Sequence, residues 1–561
     1  MDVNIDSEKT TVSHGPTDPQ RDDNTEDSEP TDVENTTEAG DDVSYGWRFW
    51  LIIASLCATS LLTAVEGTVT ATALPTIARN LGSKELYVWF VNAVFLSSAV
   101  VQPLFGQLAD VFGRRYPTIF AVAIFALGSG IAGGSTSAGM LISGRTLQGI
   151  GLGGVNMLID IVVCDLVPQN KRGAIMGVIF AVFAIGSSLG PFIGGVFADH
   201  SAWRWVFYLG LPISGIALLL LVLFLQVNYE KETTISTKLK RLDYVGNGIL
   251  ILSMVSILIA LTYGGSIRPW NSWRTLVPLI IGLLGLVLFH IYEATGLQKE
   301  PVMPPRLFQN RTSLFAFILV FLHGVLLYWI TYFLPVYFQS VLLSNPTRSG
   351  VQFLPTIVVL IPFAIISGGL ITKIGCYKPI CIVGFAMQAL GVGLFTTLDS
   401  RSSTPEWVVF QIIAAAGVGL VTTSTLPAVQ VGLLESDVAS STATWGFLRS
   451  LGNIWGVSIP AAIFNSRFEQ LSHRISDTEV RAMLRNGKAY EQASAAFITS
   501  FREPTRGEII RTYEGALQRV WQIAITFGLL GVLAALPMRE LQLKKVLRTE
   551  FGMQKKEQKR T

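Results

Sequence analysis

The sequence has few charged residues. Only 14% of its 561 residues are Asp, Glu, Lys or Arg, whereas soluble domains carry roughly 25%. Half of the residues are hydrophobic, and the mean hydropathy is +0.48. A composition this apolar over such a length excludes an ordinary soluble protein and predicts that most of the chain lies in a membrane.

Several sequence features that serve enzymes and metal sites are also missing. The four cysteines (Cys57, Cys164, Cys376 and Cys381) form no CxxC pair, so we expect neither a disulfide nor a metal site. No GxxxxGK[ST] phosphate loop is present, which argues against ATP as the energy source. We therefore expect no enzyme activity, no catalytic residue, no cofactor and no nucleic-acid partner.

The N-terminal segment differs from the rest of the chain. Residues 1–46 contain 14 Asp and Glu against Lys9 and Arg21, a net charge of −12, although the whole chain carries +3. Such an acidic segment with few apolar residues is expected to be disordered. It has no basic start followed by an apolar core, so it is not a cleaved signal peptide.

Apolar runs of about 20 residues are long enough to cross a bilayer as helices. The sequence contains fourteen of them. They lie near 48–72, 87–108, 117–135, 140–163, 174–196, 204–227, 243–263, 274–293, 313–336, 350–371, 378–398, 407–434, 439–465 and 520–537.

An even number of spans places both termini on one side of the membrane. If that side is the cytosol, the inner loops carry more Lys and Arg than the short outer loops, as the distribution of positive charge in membrane proteins requires. Arg114, Arg115, Lys171 and Arg172 are examples of such inner charges. We therefore expect both termini to be cytosolic.

An internal repeat indicates how the spans are grouped. Shifted by 262 residues, Ser188-Leu189-Gly190 falls on Ser450-Leu451-Gly452, and Gly106 falls on Gly368. Two separate places that share one offset predict a duplicated six-helix bundle with a helix pair inserted between the copies. The predicted regions are an acidic cytosolic tail (1–46), a first bundle (47–228), the inserted pair with its loops (229–311), a second bundle (312–538) and a basic cytosolic tail (539–561). For segment 467–519 of the second bundle, the sequence predicts either short amphipathic helices outside the membrane or a plain linker.

The fifth run carries a glycine pattern. Gly186, Gly190 and Gly194 lie four residues apart and so share one helix face, which lets a neighbouring backbone come close. Pro191 removes a backbone donor and is expected to bend the helix. Together with Gly195, this stretch resembles the GxxxGPxxGG antiporter motif in the fifth helix of drug–proton antiporters of the major facilitator superfamily.

A second motif lies between the second and third runs. The stretch from Gly106 to Arg115 resembles motif A of the same superfamily, GxLaDrxGRR. Gly106 and Gly113 are expected to allow a tight hairpin, and Asp110 to cap a helix or pair with Arg114. The resemblance implies that Gly106, Asp110, Gly113, Arg114 and Arg115 form a cytosolic latch that opens during transport.

A carboxylate and an arginine lie inside the first and fourth runs. The stretch from Glu66 to Pro75 is similar to the DxTxxxxALP pattern of fourteen-span drug antiporters, with Glu in place of the usual Asp. The stretch from Arg145 to Gly153 is similar to motif B, RxxQGxGxG. Charges inside a span are costly and are functional candidates by default. Because both residues lie about six positions from the outer ends of their spans, we expect Arg145 to control proton binding by Glu66.

Four further polar residues lie inside the apolar runs. Asp160 is placed with Glu66 and Arg145 in the proton-coupling set, and it would also suit a cationic substrate. Gln148, His323 and Arg449 are candidates for the substrate cavity, although a lone buried histidine more often has a structural role.

Over residues 45–545 the sequence resembles the fungal fourteen-span drug–proton antiporters that export toxins and drugs. The resemblance implies an all-α major facilitator fold that moves amphipathic organic compounds by alternating access. Its partners would be a small organic substrate, protons and the bilayer, and the chain would be a monomer in the cell membrane or, alternatively, the vacuolar membrane. A siderophore or basic amino acid transporter of the same superfamily is the alternative, and a transporter-like receptor without flux is a third reading.

Overall fold

The computed structural model describes residues 46–543, except 82–86, 200–201, 227–234, 265–269, 297, 299 and 486. The tail predicted at 1–46 lies almost wholly outside the described residues, as does most of the tail predicted at 539–561. Within the described part, helices form the regular secondary structure.

The first half of the chain forms six long helical segments, the sixth of which is made by α6 and α7 together. Its helices are α1 (Trp47–Asn80), α2 (Tyr87–Phe112), α3 (Arg115–Gly133), α4 (Ala138–Leu166), α5 (Gln169–Asp199), α6 (Trp205–Tyr208) and α7 (Gly210–Phe224).

An inserted helix pair and a second half follow. The insert contains α8 (Ile235–Leu239), α9 (Tyr244–Tyr263) and α10 (Trp273–Ala294). The second half contains α11 (Arg311–Ser340), α12 (Pro346–Ile374), α13 (Lys378–Leu394), α14 (Thr404–Gln430), α15 (Val438–Leu471), α16 (Thr478–Leu484), α17 (Lys488–Glu491), α18 (Ala495–Thr499) and α19 (Thr505–Ala535).

Every predicted span coincides with one of these helices, or with α6 and α7 together for the run 204–227. Among the described residues, 13 helices are long and apolar enough to cross a membrane. The remaining predicted run, 174–196, lies within α5, which is 31 residues long. The main difference concerns segment 467–519, because α15 and α19 both extend into it and leave a shorter connection.

That connection packs onto the second half. It carries the short helices α16 to α18, and the Tyr513 hydroxyl donates a hydrogen bond of 2.7 Å to the Ala489 carbonyl. The Tyr490 ring lies 5.2 Å from that of Phe333 in α11. Buried apolar contacts and ring contacts of this kind make the connection a folded cap.

Two tight turns show the internal repeat in three dimensions. Gly113 ends α2 with φ 76°, and Gly375 ends α12 with φ 78°. Glycine adopts this backbone region without the strain that a Cβ would bring. The two glycines are 262 residues apart, the offset of the sequence repeat. We call the end of the molecule that carries both turns the hairpin end.

The two halves meet closely near the hairpin end through small residues. Gly106 was expected to act in the turn, but it lies inside α2, seven residues before Gly113, and packs on Ala443 of α15. In the matching contact, a Cβ on Gly173 of α5 would lie 2.9 Å from the Cα of Gly368 in α12. Small residues permit this approach because helices in lipid associate by close packing.

The inserted pair is anchored to the first half by a polar contact. The Gln107 side chain of α2 accepts a hydrogen bond of 2.7 Å from the Asn247 amide of α9. It also donates one of 2.7 Å to the Glu300 carbonyl beyond α10. α9 begins where the Asp243 side chain accepts from the Gly246 amide at 2.8 Å, an N-terminal cap.

Candidate functional site

A buried ion pair joins α1 to α4. The Arg145 guanidinium contacts the Glu66 carboxylate, and both side chains are almost fully buried. Arg145 also donates to the Gln148 side chain at 2.9 Å and to the Phe90 carbonyl at 2.8 Å. A buried guanidinium stays charged and needs such acceptors. Gln148, expected in a substrate cavity, in turn donates to Ser129 at 2.8 Å and so belongs to the ion-pair cluster.

The glycine face of α5 packs on the part of α1 that carries Glu66. A Cβ on Gly186 would lie 2.8 Å from the Ala64 Cβ, and one on Gly190 would overlap the Thr68 hydroxyl. These contacts lie on either side of Glu66 along α1. Larger side chains at either glycine would push α5 away from the ion pair. Gly194 is buried, whereas the surroundings of Pro191 and Gly195 lie outside the described part of the chain.

A second ion pair joins the two halves. Arg449 of α15 donates from Nη2 to Asp160 of α4 over 3.3 Å. Its guanidinium also lies 4.2 Å from the ring centroid of Trp445, a cation–π contact. Asp160 and Arg449 were expected at separate sites, and the structure brings them together. A single sequence without homologues carries no signal for a pair 289 residues apart.

His323 lies in α11 without a charged partner. Its Nε2 is 3.2 Å from the Thr422 hydroxyl, and its buried Nδ1 makes no hydrogen bond. The structure thus places it in the second half, where the neighbouring Gly324 packs on the Arg449 carbonyl of α15. Its assignment to a substrate cavity stays a prediction.

Two of the predicted latch residues, Asp110 and Arg114, form a compact polar cluster at the hairpin end. Arg114 pairs with Asp110 at 3.3 Å and, more closely, with Asp165 of α4 at 2.6 Å. Asp110 also accepts from the Ser440 hydroxyl of α15 at 3.3 Å, which links the halves. Arg115 points elsewhere, since it donates to the Val222 carbonyl at 2.8 Å.

One contact between the halves was missed from the sequence. The buried Arg172 of α5 reaches the Gln430 side chain of α14 and also donates to the Cys164 carbonyl at 2.6 Å. Gln430 then donates to Thr442 of α15 at 2.8 Å. Arg172 was counted only as an inner-loop positive charge. Gln430 is a polar side chain near the end of an apolar run, and this position could have indicated from the sequence that it has a polar partner.

Among the described residues, no group of three or more His, Cys, Asp or Glu side chains is arranged to hold a metal ion. The charged side chains of the site can form ion pairs and exchange protons. Glu66 can exchange a proton while Arg145 keeps two other acceptors. Asp160 and Arg449 can make or break a bond between the halves.

The family model and the curated relatives give the same family. The family model of the Major Facilitator Superfamily matches residues 56–457. The chain is 47% identical over 512 residues to the MFS-type transporter gkaD of Penicillium citrinum, which covers 91% of this chain and 88% of the relative. It is 44% identical over 510 residues to the MFS efflux transporter aclA of Aspergillus oryzae, covering 91% and 92%. It is 45% identical over 510 residues to the efflux pump FUS6 of Gibberella fujikuroi, with the same two coverages.

Solved structures share the fold at low sequence identity. The human organic anion transporter MFSD10 matches with a TM-score of 0.56 at 15% identity, covering 88% of this chain and 100% of that one. The proton:xylose symporter XylE matches with a TM-score of 0.54 at 15% identity, covering 87% and 94%. The family model matches most of the helices, the relatives are named as transporters rather than enzymes, and the solved structures share the fold. The chain is therefore a multi-pass membrane protein that belongs to the major facilitator superfamily.

Proposed function

We propose that this chain exports amphipathic organic compounds from the cytosol by proton-coupled alternating access. Relatives named as efflux transporters and efflux pumps support the direction. The observation that carries the proposal is the buried Glu66–Arg145 pair, with the glycine face of α5 packed on both sides of Glu66.

Proton coupling follows from the partners of Arg145. When Glu66 takes up a proton, Arg145 loses one anionic partner but keeps the Gln148 oxygen and the Phe90 carbonyl. The guanidinium therefore keeps two hydrogen-bond acceptors in both states, although its charge is no longer neutralised when Glu66 is protonated. That cost would couple proton uptake by Glu66 to a change in the surroundings of Arg145. Arg145 lies seven residues from the start of α4, about 10 Å along the helix, at the end opposite the hairpin end. Protons would enter from there.

The direction of opening follows from where the halves touch. The contacts of Gly106, Asp110 and Arg172 with the second half all lie at the hairpin end. Its loops hold the excess of Lys and Arg, so this end would face the cytosol. The structure then corresponds to a state closed to the cytosol. Release of the Asp160–Arg449 pair and the latch contacts would open the cytosolic side for substrate.

The substrate class is inferred from the same residues. Arg449 engages Asp160, so this carboxylate is not a ready partner for a cationic amino acid. No specific observation favours the siderophore or basic amino acid alternative. We place the protein, as a monomer, in the cell membrane with both termini in the cytosol.

The test is accumulation of a compound panel in cells that lack or overexpress the protein, with and without a protonophore. The proposal expects lower accumulation on overexpression and loss of this effect with the protonophore. Increased uptake on overexpression contradicts export. Export that persists with the protonophore contradicts proton coupling.

A further inference from the structure

A cleft in the described part of the chain lies outside the site above. It has a volume of about 670 Å³ and lies between the last turns of α15 and the middle of α19, beside Trp270, which precedes α10. Its polar wall comes from Arg467 and Gln470 of α15 and from Arg519 and Gln522 of α19, with Trp270 alongside.

The cleft is lined by donors. It contains two arginines, and none of the lining residues that the structure describes is acidic. Arg467 donates to the Gln470 oxygen at 3.0 Å, and Arg519 donates to the Gln522 oxygen at 3.2 Å. The side-chain amides of Gln470 and Gln522 thus point their oxygens at the arginines, and their NH₂ groups are further donors in the cleft. The local charge is left uncompensated by any side chain of the wall.

Two buried donors in this wall have no partner. The Trp270 Nε1 and the Arg467 Nε are both inaccessible to solvent and make no hydrogen bond. Buried N–H groups are rarely left unpaired in folded proteins, because the lost bonds to water are not replaced. They belong to different parts of the chain yet line one cleft, which indicates that an acceptor from outside the chain completes them.

The position of the cleft points to the membrane surface. Arg519 lies sixteen residues before the end of α19 at Ala535, about 24 Å along the helix. A bilayer core is about 30 Å thick, so the arginines lie near its boundary on the side opposite the hairpin end. Ile463 and Ile523 add an apolar part to the wall, and Leu529 and Leu533 further along α19 are exposed.

We propose that this cleft binds an anionic phosphate group, either the headgroup of an anionic lipid or free phosphate. Arg467 and Arg519 hold the charge, as guanidinium groups do with phosphate oxygens. The Trp270 Nε1 and the Arg467 Nε donate to the same oxygens. The site joins α15, α19 and the insert, and it is distinct from both ion pairs of the transport pathway.

The test uses the purified full chain and three probes: phosphatidylglycerol, phosphatidylcholine and inorganic phosphate. Binding is measured by native mass spectrometry and by the shift in melting temperature. The proposal expects phosphatidylglycerol to bind about tenfold more tightly than phosphatidylcholine, with this preference lost in an Arg467→Gln, Arg519→Gln double variant. Trp270→Phe keeps the ring and removes the donor, and should weaken binding several-fold.

Arg474→Gln is the matched control, since Arg474 is exposed in the same connection but does not line the cleft. The control should bind like the parent, and the double variant should melt like the parent without added probe. A response to phosphatidylglycerol alone identifies the lipid headgroup, and an equal response to phosphate identifies the free anion. Equal binding of the two lipids together with no response to phosphate, or binding that the double variant keeps, overturns the proposal.

Discussion

Two ion pairs lie among the spans of this transporter, and they differ in what they connect. Glu66 and Arg145, 3% and 2% exposed, lie within the first half. Asp160 and Arg449, 6% and 21% exposed, lie in different halves. If the halves rock as rigid bodies, as proposed above, the first pair would move together and the second would be pulled apart. On that proposal, one pair responds to protons and the other to conformation.

The largest expected effect is that of Glu66→Gln. The amide still accepts from Arg145 but cannot exchange a proton, so proton-driven export should fall to the level of cells that lack the protein. Accumulation of an exported compound under an imposed pH gradient measures it. Glu469→Gln removes an exposed carboxylate and should export normally. Full pH-driven export by Glu66→Gln would remove this residue from the mechanism.

The next largest effect concerns stability. Arg145→Gln leaves Glu66 buried without its cation, which should cost about 3–5 kcal/mol in the free energy of unfolding. In the double variant with Glu66→Gln, no charge remains, and we expect about 2–3 kcal/mol of this loss to be recovered. Unfolding of the four proteins in detergent gives the coupling energy. Strictly additive losses would show that the two residues do not act as a pair.

A smaller effect is expected for Asp160→Asn. Arg449 keeps its contact with Trp445 and some exposure, so the loss should be about 1–2 kcal/mol, and it should favour opening at the hairpin end. Cys164 is a native reporter, because it is buried between the halves. With the other three cysteines replaced by alanine, its labelling by a maleimide should rise about fivefold or more.

Glu66→Gln tested in the same labelling assay sharpens the comparison. It changes the pair inside one half, so Cys164 labelling at fixed pH should rise much less than in Asp160→Asn. Equal increases would mean that both pairs hold the halves together.

The smallest effect is expected at the latch. Ser440→Ala removes one hydrogen bond of 3.3 Å to Asp110 across the halves. The loss should be about 0.5–1 kcal/mol, a two- to fivefold rise in Cys164 labelling. Ser458→Ala removes only a bond to the Ile454 carbonyl of its own helix and should leave labelling unchanged. An unchanged rate of Cys164 labelling in Ser440→Ala would indicate that the packing of Gly106 and Gly173, and not this hydrogen bond, keeps the hairpin end closed.

Prediction from the sequence was successful where it needed only the positions of residues along a helix. The depth argument for Glu66 and Arg145 needed only the rise per residue of a helix, and the structure places the two in contact. The sequence could not show which of two carboxylates lies closer to Arg114. Asp110, four residues away, was the visible partner, while Asp165 of α4 is the closer one at 2.6 Å.

The sequence by itself determined the spans, the repeat and the residues that lipid does not tolerate, because hydropathy and an offset of 262 residues are properties of the chain alone. Only the tertiary structure decided which polar side chains meet across the two halves. Arg449 meets Asp160, and Arg172 meets Gln430, because packing of the halves at Gly106 and Gly173 sets the distances between them. Contacts between rigid bodies depend on how their surfaces fit, and a helical period carries no information about that fit.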